Sequence, residues 1–127
     1  MEKLIKQVEE FNKAFKIDYA QKPTLISNAD SALRFKLMDE ENEEYLDATI
    51  DEDLVEVADA LGDQLYILVG TILKHGMQDV IVKVFDEIQR SNMSKLDENG
   101  EAIVREDGKI LKGANYSKPN LKPIIEN

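Results

Sequence analysis

The amino-acid sequence predicts an all-α protein, a four-helix-bundle-like domain followed by a short C-terminal hairpin and an extended tail. Apolar residues recur at the three- and four-residue spacing of a helix face over most of the first 94 positions. The chain has 127 residues and is 43% hydrophobic, enough for one packed core. We therefore expect a single domain over 1–127, with the helical bundle in about 2–94 and the hairpin and tail in about 95–127.

Four helices are expected from these repeats, over about 2–16, 29–49, 52–75 and 78–94. The loop over 17–28 ends at Ser27 and Asn28, which favour the N-cap of the second helix. Asp51 is the expected N-cap of the third helix, and Gly76 its C-terminal stop. Each boundary thus has a local chemical reason.

Beyond Lys95 the pattern changes from helical to turn-rich. The dipeptide Asp107-Gly108 lies between two short apolar pairs, which favours a small β-hairpin. Pro119 and Pro123 favour an extended tail.

The third helix predicts self-association. From Leu65 onward it is apolar nearly all round, and such a helix is buried on several sides. In a chain of this size, part of that burial is expected against another subunit.

Composition excludes several classes of function. The formal net charge is −10, so a basic face for nucleic-acid polymers is not expected. There is no cysteine, which excludes disulfides and thiolate metal sites. The longest apolar run, Leu65 to Leu73, is too short to span a bilayer. The first residues open directly into an amphipathic pattern, so we expect no signal peptide and a cytoplasmic location.

Acidic residues dominate the middle of the chain. Between Lys36 and Lys74 there is no Lys or Arg, whereas Asp and Glu are frequent there. On a helical wheel, Glu41 and Glu44 fall inside the apolar arc of the second helix, with Arg34 beside them. A carboxylate buried without a partner is costly, so these two positions need an explanation.

The third helix carries a matching stripe. Glu56, Asp59 and Asp63 follow each other at i, i+3 and i+7, at the edge of its apolar arc. Carboxylates from two consecutive helices can converge on one point only if a cation holds them there. Oxygen ligands without His or Cys suit Mg²⁺ or Mn²⁺ rather than Zn²⁺. The alternative is an exposed acidic surface with no bound ion.

At these residues the sequence resembles the all-α nucleotide pyrophosphohydrolases, the MazG-like group that includes phosphoribosyl-ATP pyrophosphohydrolase. The motif EExxE reads Glu40 to Glu44, and ExxD reads Glu56 to Asp59. The stretch from Asp59 to Tyr66 is similar to the continuation DALxDxxY. Segments 90–95 and 108–113 resemble the phosphoribosyl-ATP pyrophosphohydrolase branch, so that the resemblance covers about 30–120.

The resemblance implies a set of site residues. The metal ligands it implies are Glu41, Glu44, Glu56 and Asp59, with Asp63 as an additional ligand or a supporting residue. Glu40 and Glu41 are the implied catalytic residues, with Glu40 as a further ligand or a water-activating base. The implied cofactor is Mg²⁺, which Mn²⁺ can replace, and the number of carboxylates implies two or three ions. The substrate-binding candidates are Arg34, Arg90, Asn92, Lys95, Lys109 and Lys112. For Arg34, a structural ion pair with Glu41 or Glu44 is an equal alternative.

The implied reaction is hydrolysis of a nucleoside triphosphate between its α and β phosphates, giving a monophosphate and pyrophosphate in nucleotide-pool housekeeping. One alternative is hydrolysis of phosphoribosyl-ATP in histidine biosynthesis. Another is a non-catalytic helical oligomer that only binds divalent cations. The resemblance also implies a homodimer or a tetramer built from two dimers.

Overall fold

In the computed structural model, which describes residues 1–126, the chain is helical. Its helices are α1 (Glu2–Ala14), α2 (Asn28–Ile50), α3 (Leu54–Lys74), α4 (Ile81–Met93) and a short α5 (Lys122–Ile125). The all-α class and the four expected helices are confirmed, and α5 adds one turn to the tail. None of the helices in the described part of the chain is long and apolar enough to cross a membrane.

The chain divides into two compact units, Met1–Asp79 and the remainder from Val80 onward. The first unit contains α1, α2 and α3. The second contains α4, the hairpin segment and α5. A single domain over 1–127 stays a prediction.

Helices α2 and α3 form an antiparallel pair joined by a turn of three residues. The Arg34 side chain near the start of α2 donates to Thr71 and Ile67 near the end of α3, whereas Gln64 donates to Asn42 further along both helices. The buried Ala48 on α2 and Ala60 on α3 have small side chains, which allow close approach of two helices. This pairing sets the α3 carboxylates opposite those of α2.

The cap of α3 is Asp53, not Asp51 as expected. The Asp53 side chain accepts a hydrogen bond from the Glu56 N–H at 3.2 Å. Asp51 instead closes α2, where its own N–H donates to the Asp47 carbonyl. The sequence Asp51-Glu52-Asp53 offers two capping carboxylates, and the turn length decides which one is used. At α2 the expected cap is confirmed, since Ser27 Oγ accepts from the Asp30 N–H at 3.1 Å.

The first three helices end in the same way, with one residue in the left-handed region. These residues are Lys16 (φ 56°), Glu52 (φ 55°) and Gly76 (φ 67°). At the end of α3, the Gly76 N–H donates to the Leu73 carbonyl and the Met77 N–H to the Ile72 carbonyl. This is the Schellman arrangement. Gly76 is therefore confirmed as the stop of α3, whereas the other two helices use residues with a Cβ.

The core of the first unit lies along α3, which packs against both α1 and α2. The buried apolar side chains are Ile5, Val8, Ala48, Ala60, Val69, Ile72 and Leu73. Phe11 on α1 meets Tyr66 on α3 edge to face, with ring centroids 5.6 Å apart. Leu65 and Leu68 on α3 remain partly exposed, so one isolated chain does not bury the apolar circumference of this helix.

The second unit contains the expected hairpin in minimal form. Val104 and Ile110 form one antiparallel bridge, and the Arg105 N–H donates to the Lys109 carbonyl at 2.8 Å. Gly108 takes φ 89° in the turn, which favours glycine.

Side chains of α4 fasten the tail of the second unit. Glu87 accepts from the Asn120 N–H at 3.0 Å, and Ser94 Oγ accepts from the Ser117 N–H at 2.9 Å. The tail therefore has a defined path along α4 before α5 begins.

Candidate metal centre

Glu41 and Glu44 on α2 and Asp63 on α3 bring carboxylate oxygens to one point. One oxygen from each lies within 4.8 Å of the other two. The three-residue spacing of the glutamates places both on one side of α2, and the antiparallel pairing places Asp63 opposite them. Among the residues the structure describes, this is the group suited to a metal ion.

Glu41 is the most confined of the three. Its carboxylate is half-buried, and Oε2 is shielded from solvent without a hydrogen-bond partner in the described chain. Burial is the first cause that raises the pKa of Glu41 to about 7, followed by the hydrogen bond and the charge of Glu44. The charges of Asp63 and Asp59 raise the same pKa further. The arrangement thus disfavours the negative charge of Glu41 unless a cation compensates it.

The surroundings of Asp63 also disfavour its negative charge. Burial is the first cause that raises the pKa of Asp63, ahead of the charges of Asp59 and Glu44. The sequence resemblance implies Asp63 as an additional ligand or a supporting residue. In the structure it belongs to the same carboxylate group as Glu41 and Glu44. Its place at the edge of the apolar arc, seven residues after Glu56, was the pattern that pointed to it.

Glu56 and Asp59 line a cavity next to this carboxylate group. Together with Glu44 they line a cavity of about 190 Å³ toward the α2–α3 turn. The complete lining is Glu44, Asp47, Ala48, Asp51, Glu56, Asp59 and Ala60. The structure therefore brings the four resemblance-implied ligands to two adjoining places that share Glu44.

Asp47 and Asp51 were not expected in this cavity. On the helical wheel, Asp47 belongs to the solvated face of α2, and Asp51 was assigned to capping. The spacing from Glu44 to Asp47 and Asp51 is three and seven residues, which places them on one stripe. That spacing is the pattern from which their position was predictable.

Glu40 lies outside the converging group. It is exposed on α2, next to Glu41 in sequence. Its implied role in catalysis stays a prediction.

Arg34 links α2 to α3. Its Nε donates to Thr71 Oγ1 at 3.0 Å and its Nη2 to the Ile67 carbonyl at 3.0 Å. Burial lowers the pKa of Arg34. The expected alternative of an ion pair with Glu41 or Glu44 is wrong for the described residues, since the guanidinium turns to uncharged oxygens on α3.

Arg90, a substrate-binding candidate on α4, binds other residues of the second unit. It makes a bidentate pair with Glu87 and donates to the Lys118 carbonyl at 3.2 Å. The Arg90 hydrogen bond is the first cause that lowers the pKa of Glu87 to about 2, followed by the Asn120 N–H. The observed contacts of Arg90 are therefore structural ones.

The other candidates in the second unit lie at or after the end of α4. Asn92 is exposed on its last turn, and Lys95 follows within the next turn. Lys109 lies in the hairpin, and Lys112 Nζ lies 4.8 Å from the centre of the Tyr116 ring. Phosphate binding by these residues stays a prediction.

The donor set suits a hard divalent cation. All ligands are carboxylate oxygens, one of which is a shielded, unpartnered atom, Glu41 Oε2. A cation there would supply both the missing partner and the missing charge. Glu41, Glu44 and Asp63 thus form a group that can hold a divalent metal ion.

An all-helical chain with carboxylates converging between two antiparallel helices is the class of protein implied by the sequence resemblance. The family model of phosphoribosyl-ATP pyrophosphohydrolase matches residues 8–92. Because this match covers well over half of the chain, the chain belongs to the phosphoribosyl-ATP pyrophosphohydrolase family. No curated protein matches the chain. Family membership confirms the resemblance and indicates a pyrophosphohydrolase, an enzyme that hydrolyses a phosphoric anhydride.

Proposed function

We propose that the protein hydrolyses a nucleoside triphosphate between its α and β phosphates, with Mg²⁺, to a monophosphate and pyrophosphate. The observation that carries the proposal is the convergence of Glu41, Glu44 and Asp63 within 4.8 Å, on a chain of pyrophosphohydrolase family. Such a carboxylate group binds phosphates only through a cation. The role is the removal of nucleotides from the cellular pool.

The chain contributes ligands and a base to this reaction. Glu41, Glu44 and Asp63 would hold one ion, and Glu56 and Asp59 in the adjoining cavity would hold a second one. A bound Mg²⁺ neutralises phosphate charge and orients water, and Mn²⁺ can replace it. Glu40, exposed and next to Glu41 in sequence, would accept the proton of the attacking water as that oxygen bonds to the α-phosphorus and the bond to the β-phosphate oxygen breaks.

The remaining phosphate charge needs cations. Lys95, Lys109 and Lys112 are proposed for this task, with Asn92 contacting base or sugar. They are supported by charge and by the sequence resemblance of segments 90–95 and 108–113.

Phosphoribosyl-ATP is the second candidate substrate, and the family description itself favours it. It is hydrolysed at the same bond, so the same carboxylates would act on it. The choice between the two substrates rests on the part of the site that contacts base and sugar.

We further propose a homodimer or a tetramer of two dimers. The α2–α3 turn exposes an apolar surface made of Leu46, Ile50, Leu54 and Val55, which we call the turn patch. Leu54 is 81% exposed, Val55 75% and Ile50 69%. A cluster of this kind on a water-soluble enzyme is typical of a subunit interface, and a second copy of this chain is the occupant we propose.

The decisive experiment is a product assay with Mg²⁺ against separate nucleoside triphosphates, deoxynucleoside triphosphates and phosphoribosyl-ATP. Monophosphate plus pyrophosphate, absent in Glu41→Gln and after chelation, is the expected result. Orthophosphate plus diphosphate would contradict the proposed bond. Retained metal binding without turnover of any substrate would favour a protein that only binds cations.

A further inference from the structure

The segment after α4 makes a tight turn over 97–101, which we call the Asn99 turn. The Gly100 N–H donates to the Asp97 carbonyl at 3.0 Å, and the Asp97 N–H donates to the Glu101 carbonyl at 2.8 Å. Asp97 Oδ1 also accepts from the Asn99 and Glu101 N–H groups, both at 2.9 Å. These bonds use backbone groups and one carboxylate, and none of them uses the exposed side chain of Asn99. The Asn99 amide is therefore accessible to solvent beside the glycine that follows it.

The hairpin repeats this backbone arrangement over 105–109, in what we call the Asp107 turn. The Gly108 N–H donates to the Arg105 carbonyl at 2.9 Å, and the Arg105 N–H donates to the Lys109 carbonyl at 2.8 Å. Here the side chain before the glycine is fixed, because Arg105 Nε donates to Asp107 Oδ1 at 2.9 Å and the Lys109 N–H donates to the same oxygen at 3.2 Å. The hydrogen bond from Arg105 is the first cause that lowers the pKa of Asp107. The two turns thus share a backbone and differ in how they treat the side chain that precedes the glycine.

An asparagine that precedes glycine can react with its own main chain. The glycine nitrogen, after losing its proton to solvent, bonds to the carbonyl carbon of the side chain. The bond from that carbon to the amide nitrogen breaks, and ammonia leaves with a proton from water. Water then opens the resulting succinimide ring at either of its two carbonyls, so that amide and water become ammonia and either aspartate or isoaspartate. Glycine favours ring closure because it has no Cβ to shield its nitrogen, and the space around Gly100 is open, since a Cβ there would meet nothing within 4 Å.

We propose that Asn99 is a site of spontaneous deamidation in the folded protein, and that Asp107 is protected from the corresponding loss of water. Asn99 offers a neutral amide carbon to the Gly100 nitrogen, whereas an ionised carboxylate that is paired with Arg105 is a poor electrophile. The bond from the Gly100 N–H to Asp97 slows the attack, because the turn has to open first. An exposed turn opens at a small cost in free energy. This inference is independent of the proposed function.

The products of the reaction change the turn in which they form. Isoaspartate adds one carbon to the main chain before Gly100, so that the backbone groups of Asp97 and Glu101 lose their register. Aspartate keeps the length of the chain but places a second negative charge beside the Asp97 carboxylate, which accepts the N–H of residue 99. Either product weakens the turn between α4 and the hairpin.

The test is a peptide map of the wild-type protein after incubation for several days at mildly alkaline pH and physiological temperature. Digestion at acidic pH limits further deamidation, mass spectrometry locates the modified residue, and enzymatic methylation measures isoaspartate. We expect Asn99 to convert roughly tenfold faster than Asn92 and Asn115, which lie in the same unit and precede residues with a Cβ. The product should be a mixture of isoaspartate and aspartate, because both carbonyls of the ring react with water. Asn99→Gln is the matched control and should form no isoaspartate at this position, because its longer side chain disfavours ring closure.

A parallel incubation in urea separates the chemistry of the sequence from the effect of the fold. Unfolding should accelerate the reaction of Asn99 and allow Asp107 to form isoaspartate, because both turns open and the Arg105 contact is lost. Conversion of Asn99 in urea but not in the folded protein would overturn the proposal, since the turn would then protect this side chain. Aspartate at 99 without isoaspartate would overturn the succinimide route and indicate direct hydrolysis.

Arg105→Leu tests the protection of Asp107 in the folded protein. Without the guanidinium, we expect isoaspartate at 107 to rise severalfold above the wild-type level, while conversion of Asn99 stays unchanged. Equal isoaspartate at 107 in the variant and the wild type would overturn the role assigned to Arg105, as would wild-type Asp107 reacting as fast as Asn99.

Discussion

Glu41 and Asp63, which belong to two different helices and are separated by 22 positions, place carboxylate oxygens within 4.8 Å of each other. Burial and the neighbouring Glu44 raise the pKa of Glu41 to about 7, and the charge of Asp63 raises it further. A bound cation would relieve the repulsion within a carboxylate group of this kind. The consequences for stability are measurable without any substrate.

The first prediction concerns Glu41→Gln. Removing this charge should raise the free energy of unfolding of the metal-free protein by about 1 kcal/mol, because the repulsion is partly screened by solvent. Mg²⁺ at a hundred times its dissociation constant should stabilise the wild type by about 2.7 kcal/mol and the variant much less. Thermal unfolding with EDTA and with Mg²⁺ checks both. A destabilised metal-free variant would indicate that Glu41 has a purely structural role.

A second prediction ranks the α3 carboxylates. Asp63→Asn should reduce turnover about 100-fold or more, whereas Glu56→Gln, in the adjoining cavity, should reduce it about tenfold. Steady-state kinetics measures the turnover of each variant, and Mg²⁺ titration measures its affinity for the ion. The exposed Glu43→Gln is the matched control and should leave both unchanged. The opposite order would mean that the ExxD pair, not Asp63, binds the essential ion.

The positions of the helices and the burial of Glu41 were predictable from the sequence, because both follow from helical periodicity. Glu41 fell inside the apolar arc of α2, and the structure finds it half-buried with an unpartnered oxygen. The residue that caps α3 was not predictable, because Asp51 and Asp53 have the same side chain. Only the length of the turn decides which of the two acts as the cap. For Arg34, the sequence left substrate binding and an ion pair with Glu41 or Glu44 as equal alternatives. Its partners, Thr71 and the Ile67 carbonyl, are set by the antiparallel register, which helical periodicity does not contain.

Two glycines of α3 give a third, paired prediction. A Cβ at Gly70 would lie 2.7 Å from Arg34 Nη2, whereas a Cβ at Gly62 meets nothing within 4 Å. Gly70→Ala should therefore displace the anchored guanidinium and destabilise the protein by about 1–3 kcal/mol. Gly62→Ala should stabilise it by about 0.5–1 kcal/mol through helix propensity. Urea unfolding at fixed protein concentration measures both, and equal effects would show that the Arg34 contact contributes nothing.

The end of α1 provides a fourth prediction. Lys16 adopts φ 56° where glycine is preferred, and the Ile17 N–H donates to the Asn12 carbonyl at 2.8 Å across this turn. Lys16→Gly should stabilise the protein by about 1 kcal/mol, because the Cβ strain disappears. Lys13→Gly, within the last helical turn, is the control and should destabilise by about 1 kcal/mol. If both variants lose stability in urea, the left-handed residue carries no strain.

The last prediction is a pH dependence that Glu87 on α4 creates, chiefly through its pair with Arg90. The pKa of Glu87 is lowered to about 2 by Arg90 and the Asn120 N–H, from an ordinary value near 4.5. Because the folded value lies below the unfolded one, the contribution of Glu87 is complete above about pH 4.5 and is lost as the pH falls toward about 2. Glu87→Gln should therefore lose stability at pH 6 and show a flatter decline between pH 4.5 and 2 than the wild type. Asp86→Asn, the exposed neighbouring carboxylate on α4, should keep the wild-type slope. If Glu87→Gln declines as steeply as the wild type, the bidentate pair with Arg90 does not persist in solution.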